Sequence, residues 1–232
     1  MSEATLERSE QKDRILEAAL PHAAFDGWSK RTLLNAAADA GFDRATATRL
    51  FPRAGDSLLD WFGEWSDRQM AAAVADLPLG DLPIRRRVAK VVRARLEVLA
   101  PHREAVRKAI VARSMPYGLT SGGRGLWRTA DLVWQLAGMP ATPGEGWSWY
   151  TRRASLAGVL AATTLYWLDD ASDGLVDSWA FLDRRIEDAL RIGKLRGRIA
   201  DIWSAMPGMR PLMARQPAGR PDRGGVHDRG PG

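Results

Sequence analysis

Apolar side chains recur along most of this chain at i, i+3, i+4 spacing, and strand-like alternation is missing. The first stripe is Ile15, Leu16, Ala19, Leu20 and Ala23, which predicts a helix from about Ser9 to Phe25 that Asp26-Gly27 ends. Ser29 is placed to cap a short helix reaching about Ala40, where Gly41 breaks the chain. Asp43 is placed to cap a third, Arg44–Phe51, which Pro52 stops. A fourth begins near Asp56, carries Leu58, Leu59, Phe62 and Trp65, and ends before Pro78. Ile84, Val88, Val91, Val92, Leu96 and Leu99 share one face of a helix from Pro83 to Ala100, and another helix runs from about His102 to Arg113. A glycine-rich break from Tyr117 to Gly125 precedes a helix over Leu126–Ala137, and Pro140 to Gly146 read as a loop. Two strong helices follow, Trp147–Leu168 and Asp177–Ile192. The pattern predicts an all-α chain of about nine helices.

At 232 residues with 45% apolar content, the chain can bury a real core within one domain or two closely packed ones. It has no cysteine, which excludes disulfides, zinc–cysteine sites and thiol nucleophiles. His22, His102 and His227 are too scattered for a metal cluster. The longest uncharged run, 154–168, is 15 residues, short of the roughly 20 that span a bilayer. The opening MSEATLERSEQKD reads as neither a secretory signal nor a basic transit peptide, so a soluble intracellular protein is expected.

The net charge of +6 is unevenly spread. Residues 1–60 hold eight Lys/Arg against ten Asp/Glu, whereas 85–128 hold twelve against two. That basic stretch reads either as a solvated helix face or as a surface for anionic phospholipid or an acidic partner.

The first three helices resemble the N-terminal domain of TetR-like regulators. The matching residues are Arg14-Ile15-Leu16-Glu17-Ala18-Ala19, Gly27, Ala40-Gly41-Phe42, and Thr46 with Arg49, Phe51 and Pro52. In that pattern the third helix carries a small Gly and a Tyr-x-His pair for the DNA backbone, where this sequence has Ala45, Thr48 and Leu50. The acidic balance of residues 1–60 also opposes phosphate binding, so a working DNA reader is not expected.

A second resemblance is carried by Trp149-Tyr150-Thr151-Arg152-Arg153-Ala154 and the small-residue apolar helix after it. Together with Leu99-Ala100-Pro101, Val133-Trp134-Gln135-Leu136-Ala137-Gly138, Asp177-Ser178-Trp179, Phe181-Leu182 and Arg184-Arg185-Ile186-Glu187-Asp188-Ala189, it resembles the ninth coenzyme-Q protein family of ubiquinone biosynthesis over about residues 12–195. The resemblance implies a TetR-like helical bundle that dimerises, binds lipids and isoprenoid quinone precursors in an apolar pocket, and serves the demethoxyubiquinone hydroxylase without being a catalyst. On this reading 1–52 is a helix-turn-helix-like subdomain and 53–193 a helical lipid-binding and dimerisation body. Residues 194–214 form an amphipathic membrane-interacting helix, and 215–232 a disordered tail. The positions matching the family's partner-binding patch are Val133, Trp134, Leu136, Trp149, Tyr150 and Arg153.

The residues themselves leave more open. Helix 147–168 has Arg152 and Arg153 near its start and Asp169-Asp170 at its end, an order that opposes the helix dipole. The arginines are therefore placed either for contact or to pair with acids such as Asp131 or Glu145. Leu156, Val159, Leu160, Leu165 and Trp167, with Leu126 from the helix before, either fill a core or wall a lipid pocket. Trp28, Trp61, Trp65, Trp127 and Trp179 read as core. Lys194, Leu195, Arg198, Ile199, Ile202, Trp203 and Met206 form an amphipathic segment that suits a membrane interface or a docking site on the protein's own body. No spacing typical of a catalytic or metal site is present, and Asp169, Asp170 and Asp173 read as a helix-ending turn.

The sequence thus predicts a non-enzymatic accessory protein with no cofactor beyond a bound lipid or isoprenoid quinone precursor. It is expected to be a homodimer on the cytoplasmic face of an inner membrane, with the hydroxylase as partner. The alternatives are a TetR-like repressor with an apolar effector pocket and a dimeric scaffold with a filled core.

Overall fold

Side-chain caps set where the short helices near the N-terminus begin. The structure, a computed structural model, describes residues 3–114, 119–139 and 147–205. Among these are α1 (Glu3–Asp26), α2 (Lys30–Asp39), α3 (Arg44–Leu50), α4 (Gly55–Val74), α5 (Ile84–Leu99), α6 (Arg103–Ser114), α7 (Leu119–Leu136), α8 (Trp147–Asp169) and α9 (Val176–Ala205), with two 3-10 turns and no strand. Ser29 Oγ accepts from the Thr32 amide at 3.1 Å, and Asp43 Oδ1 accepts from the Thr46 amide at 2.7 Å, as their positions predict. The chain falls into two compact units, Met1–Gly193 and Lys194–Gly232.

In the first unit α1 packs on α2 and α6, α4 on α5, and α7 on α8. The predicted stripe of α1 is buried throughout, and Leu33, Ala36, Ala37, Ala47, Leu50 and Phe51 close the core of the first three helices. Burying each large aliphatic side chain contributes about 1.5–3 kcal/mol. Of the tryptophans read as core, Trp65 is buried, while Trp28, Trp61, Trp127 and Trp179 are half-buried. Trp28 Nε1 donates to the Ala105 carbonyl at 3.0 Å, and Trp61 Nε1 to Asp13 Oδ1 at 2.8 Å. Trp28 also stacks on Phe62 with ring centroids 4.8 Å apart, so each indole pairs an apolar ring with a satisfied N–H.

The elements depart from the sequence reading in three places. Helix α1 starts at Glu3, six residues earlier than expected, through exposed residues of good helix propensity. Helix α9 runs through the expected stop at Ile192 to Ala205. Most informatively, α7 begins at Leu119, so Gly122, Gly123 and Gly125 are helical rather than a break. A Cβ on Gly122 would lie 3.2 Å from the Arg113 Cβ. Close approach of α6 and α7 thus requires a glycine at 122 and offsets the roughly 1 kcal/mol it costs there.

The α8–α9 turn is organised by Asp170, which is buried. One carboxylate oxygen accepts from the Ser172 amide and hydroxyl at 2.8 and 2.6 Å, the other from the Ser178 amide and hydroxyl at 2.9 and 2.5 Å. Burial alone raises its pKa, but these four bonds outweigh burial and hold the carboxyl well below the usual carboxylate range. The acidic turn read from the sequence is therefore the anchor of α9.

Two stability predictions follow from this packing. A methyl on Gly55 would meet the Trp28 carbonyl oxygen at 2.5 Å, backbone against backbone. Gly55→Ala is therefore expected to cost about 2 kcal/mol or more in urea unfolding, and a change within 0.5 kcal/mol would contradict it. Asp170→Asn is expected to cost ~1–3 kcal/mol at pH 7. A depressed carboxylate contributes stability above its unfolded pKa, so the wild-type advantage over this variant should shrink as pH falls below about 4.

Candidate functional site

Helices α4 to α8 surround a cleft of about 1000 Å³. Its apolar wall comes from Leu59 and Phe62 of α4, Leu99 of α5, Val106 and Ile110 of α6, Leu126 of α7 and Leu165 of α8. These positions lie on the inward stripes of amphipathic helices, where 3.6-residue periodicity puts apolar side chains. Ala161 and Thr164 complete the α8 wall, and the Thr164 hydroxyl is satisfied by the Leu160 carbonyl at 2.7 Å. The volume lies at the upper end of small-molecule sites.

Two ionic clusters border it. Asp67, only 5% exposed, accepts from Thr129 Oγ1 at 2.9 Å, from Arg128 Nε at 3.1 Å and from Arg95 Nη1. Arg128 also reaches Glu64 at 3.2 Å. Burial pushes the Arg95 guanidinium down, and the Asp67 charge opposes that shift. In the second cluster Asp60 accepts from Arg53 at 2.6 Å and from Arg113, which also donates to the Ser121 hydroxyl.

The residues expected to wall a pocket divide. Leu126 and Leu165 line the cleft, Leu165 with 53% of its surface exposed. Leu156, Val159, Leu160 and Trp167 are buried in the core, and none of the four is among the residues that line the cleft. The wall contributed by α4, α5 and α6 was not identified from sequence, where Leu59, Phe62, Leu99, Val106 and Ile110 carry the same periodicity as core.

The partner-patch positions divide as well. Val133 is fully buried, and Trp134 and Leu136 are half-buried. Arg153 is 1% exposed, and its Nε donates to Asp131 Oδ1 at 2.5 Å, tying α8 to α7. Asp131 is one of the two acids anticipated for it, so in this chain Arg153 faces inward, whereas Arg152 is exposed. Trp149 and Tyr150 fall in the first turn of α8, and their side chains lie outside the described residues. The same holds for Lys194, Leu195, Arg198, Ile199, Ile202 and Trp203 in α9, while Met206 and the tail lie wholly outside them. In α3, Thr48 Oγ1 is bonded back to the Arg44 carbonyl at 2.9 Å and Leu50 is buried, so neither offers a free donor for DNA.

Removing one partner of a buried pair strands the other charge. Arg153→Glu is therefore expected to destabilise the fold by about 3 kcal/mol or more, seen as a lowered thermal midpoint. An unchanged midpoint would show that the Asp131 pair does not hold the two helices together.

Comparison with known proteins points the same way as the sequence motifs. The COQ9 family model matches residues 119–193, which covers α7, α8 and the first part of α9. The human "Ubiquinone biosynthesis protein COQ9, mitochondrial" is 28% identical over 200 residues, covering 83% of this chain and 62% of the relative. The rat protein of the same name is 29% identical, covering 83% and 63%. A probable coq9 protein of Dictyostelium discoideum is 21% identical, covering 83% and 64%. The chain thus spans under two thirds of these relatives' length. Among solved structures, a TetR transcriptional regulator from Nitrosomonas europaea matches with a TM-score of 0.61 at 21% identity, covering 77% of this chain and 97% of its own. In sequence this chain is similar to the COQ9 proteins of ubiquinone biosynthesis, and in fold it is TetR-like.

Proposed function

We propose that this protein is a non-catalytic, lipid-binding accessory protein of ubiquinone biosynthesis that presents isoprenoid quinone precursors to the demethoxyubiquinone hydroxylase. The observation that carries the reading is a largely apolar cleft of about 1000 Å³, bordered on two sides by the segment that resembles COQ9. A polyprenyl tail leaving a bilayer for water exposes each methylene at about 0.8 kcal/mol. A tail moving into the cleft exchanges one apolar surrounding for another, which lowers that cost. No helix among the described residues is long and apolar enough to cross a membrane. The amphipathic segment around Lys194 to Met206 would therefore hold the protein at the surface of an inner membrane, weakly and reversibly. The region of Trp134, Leu136, Trp149 and Tyr150 would meet the hydroxylase, with Arg153 held behind it by Asp131. In this proposal two copies form a dimer, as the resemblance implies.

Deleting the gene and profiling quinones tests the pathway assignment. Accumulation of an unhydroxylated ubiquinone precursor is expected, and an unchanged quinone profile would overturn it. The cleft is tested separately by Ala161→Trp, which places an indole in the space that a tail would use. Native mass spectrometry should show co-purifying lipid falling at least tenfold in a variant that still folds. Equal lipid content in variant and parent would remove the cleft from the mechanism.

A further inference from the structure

We propose that Arg85, Arg86 and Lys90, in the first two turns of α5, form a second, electrostatic contact with the partner hydroxylase and meet carboxylates on that protein's surface. This contact presumes that the hydroxylase is a partner, and it adds where and by what chemistry it is held beyond the Trp134 region.

The three side chains are exposed, and none makes an ion pair or hydrogen bond among the described residues. Two of them also run against the helix dipole. Arg85 and Arg86 stand in the first turn of α5, which follows Pro83, contains no acid and has no side-chain cap. A helix N-terminus carries partial positive charge, so cations there cost stability. Arg87, the last of the run, offsets that cost inside the molecule, donating to the Leu82 carbonyl at 2.7 Å and the Gly80 carbonyl at 2.6 Å. Arg85 and Arg86 have no such bonds. Glu97, the one acid of α5, is taken by Arg93 at 2.8 Å. A local rule broken without internal compensation marks a surface that serves something outside the chain.

Arg87 also places this charge. Its Nη1 donates to the Ala137 carbonyl at 3.4 Å, and a Cβ on Gly138 would lie 2.9 Å from that nitrogen. The start of α5 is therefore locked against the end of α7, the turn that carries Trp134 and Leu136. Residues 85 to 90 span about 8 Å of helix, comparable with the Debye length of ~8 Å at physiological ionic strength. A partner seated at the end of α7 thus feels these charges.

The mixture of signs selects a protein over a bilayer. Asp76 and Asp81, both exposed, lie in the loop just before the cations. A uniformly anionic head-group layer repels those acids, whereas carboxylates placed one by one on a protein can face the cations alone. The guanidinium fork suits such pairs. Beside Lys90 a groove of about 570 Å³, lined in part by Ala73, Leu77, Ala94 and Val98, offers the partner apolar surface to cover.

Surface plasmon resonance of the full chain against the purified hydroxylase decides the matter. The triple variant Arg85→Glu, Arg86→Glu, Lys90→Glu should slow association roughly tenfold or more at low ionic strength and flatten its fall with salt, with little change in dissociation. Acids at a helix N-terminus should leave the thermal midpoint unchanged or raised, so that a slowed variant is a folded one. Arg85→Gln with Arg86→Gln, which only removes charge, should give an intermediate rate. Association that matches the parent's in rate and salt dependence overturns the inference while the hydroxylase remains a partner. Weakened binding to phosphatidylglycerol vesicles with an unaltered hydroxylase rate assigns the face to a membrane, which also overturns it. A parent chain that fails to bind the hydroxylase removes the partner reading itself, and this contact with it.

Discussion

The cleft depends on a ladder of carboxylates along α4. Asp60, Glu64 and Asp67 fall at i, i+4 and i+7, one face of the helix, and arginines from three other helices close on them. Arg113 comes from α6, Arg128 from α7 and Arg95 from α5. Apolar contact is non-directional and favours whatever arrangement excludes most water. Charge-assisted bonds have direction and short reach, so they fix where each neighbour stands along α4. Buried ion pairs add little net stability compared with apolar residues of the same volume. What this ladder supplies is spacing: it holds α5, α6 and α7 at set distances from α4, beside a hollow that apolar packing alone would tend to close.

The same ladder explains a charge distribution that looked outward-facing in the sequence. Twelve basic residues in 85–128 suggest a surface for anions, yet many of them turn inward. Arg103 donates to the Asp170 carbonyl at 3.0 Å, and Arg107 to the Leu168 carbonyl at 2.7 Å, so these two satisfy the end of α8. Arg87 is spent on the Gly80 and Leu82 carbonyls. Arg85, Arg86 and Lys90 stay exposed, with no acidic partner among the described residues. Segment charge reads poorly as surface charge here because the matching acids lie far away in the chain, as Asp67 does from Arg128.

The helices were legible because each carries a stripe and several carry a cap, both of which are local signals. The cleft was not. Leu59 and Phe62 obey the same periodicity whether they face a neighbour or a void, and sequence fixes the face without fixing what stands opposite. Arg152 and Arg153 show the limit at finer scale. One helical step of about 100° separates a solvent-facing arginine from one locked on Asp131. The glycine-rich stretch 117–125 misled in another way. Glycine's weak helix propensity is a statement about isolated helices, and at Gly122 the close approach of the Arg113 side chain overrides it.

A body shared with a transcriptional regulator does not by itself choose a function, since one helical scaffold can serve unrelated tasks. The choice lies in surfaces. A DNA reader needs cations and free donors on its third helix; here Arg44 and Arg49 are exposed, but the Thr48 hydroxyl is consumed within α3, Leu50 is buried, and residues 1–60 carry more acid than base. The positive charge of this protein is instead concentrated in residues 85–128, where Arg95, Arg113 and Arg128 are held by the carboxylates of α4.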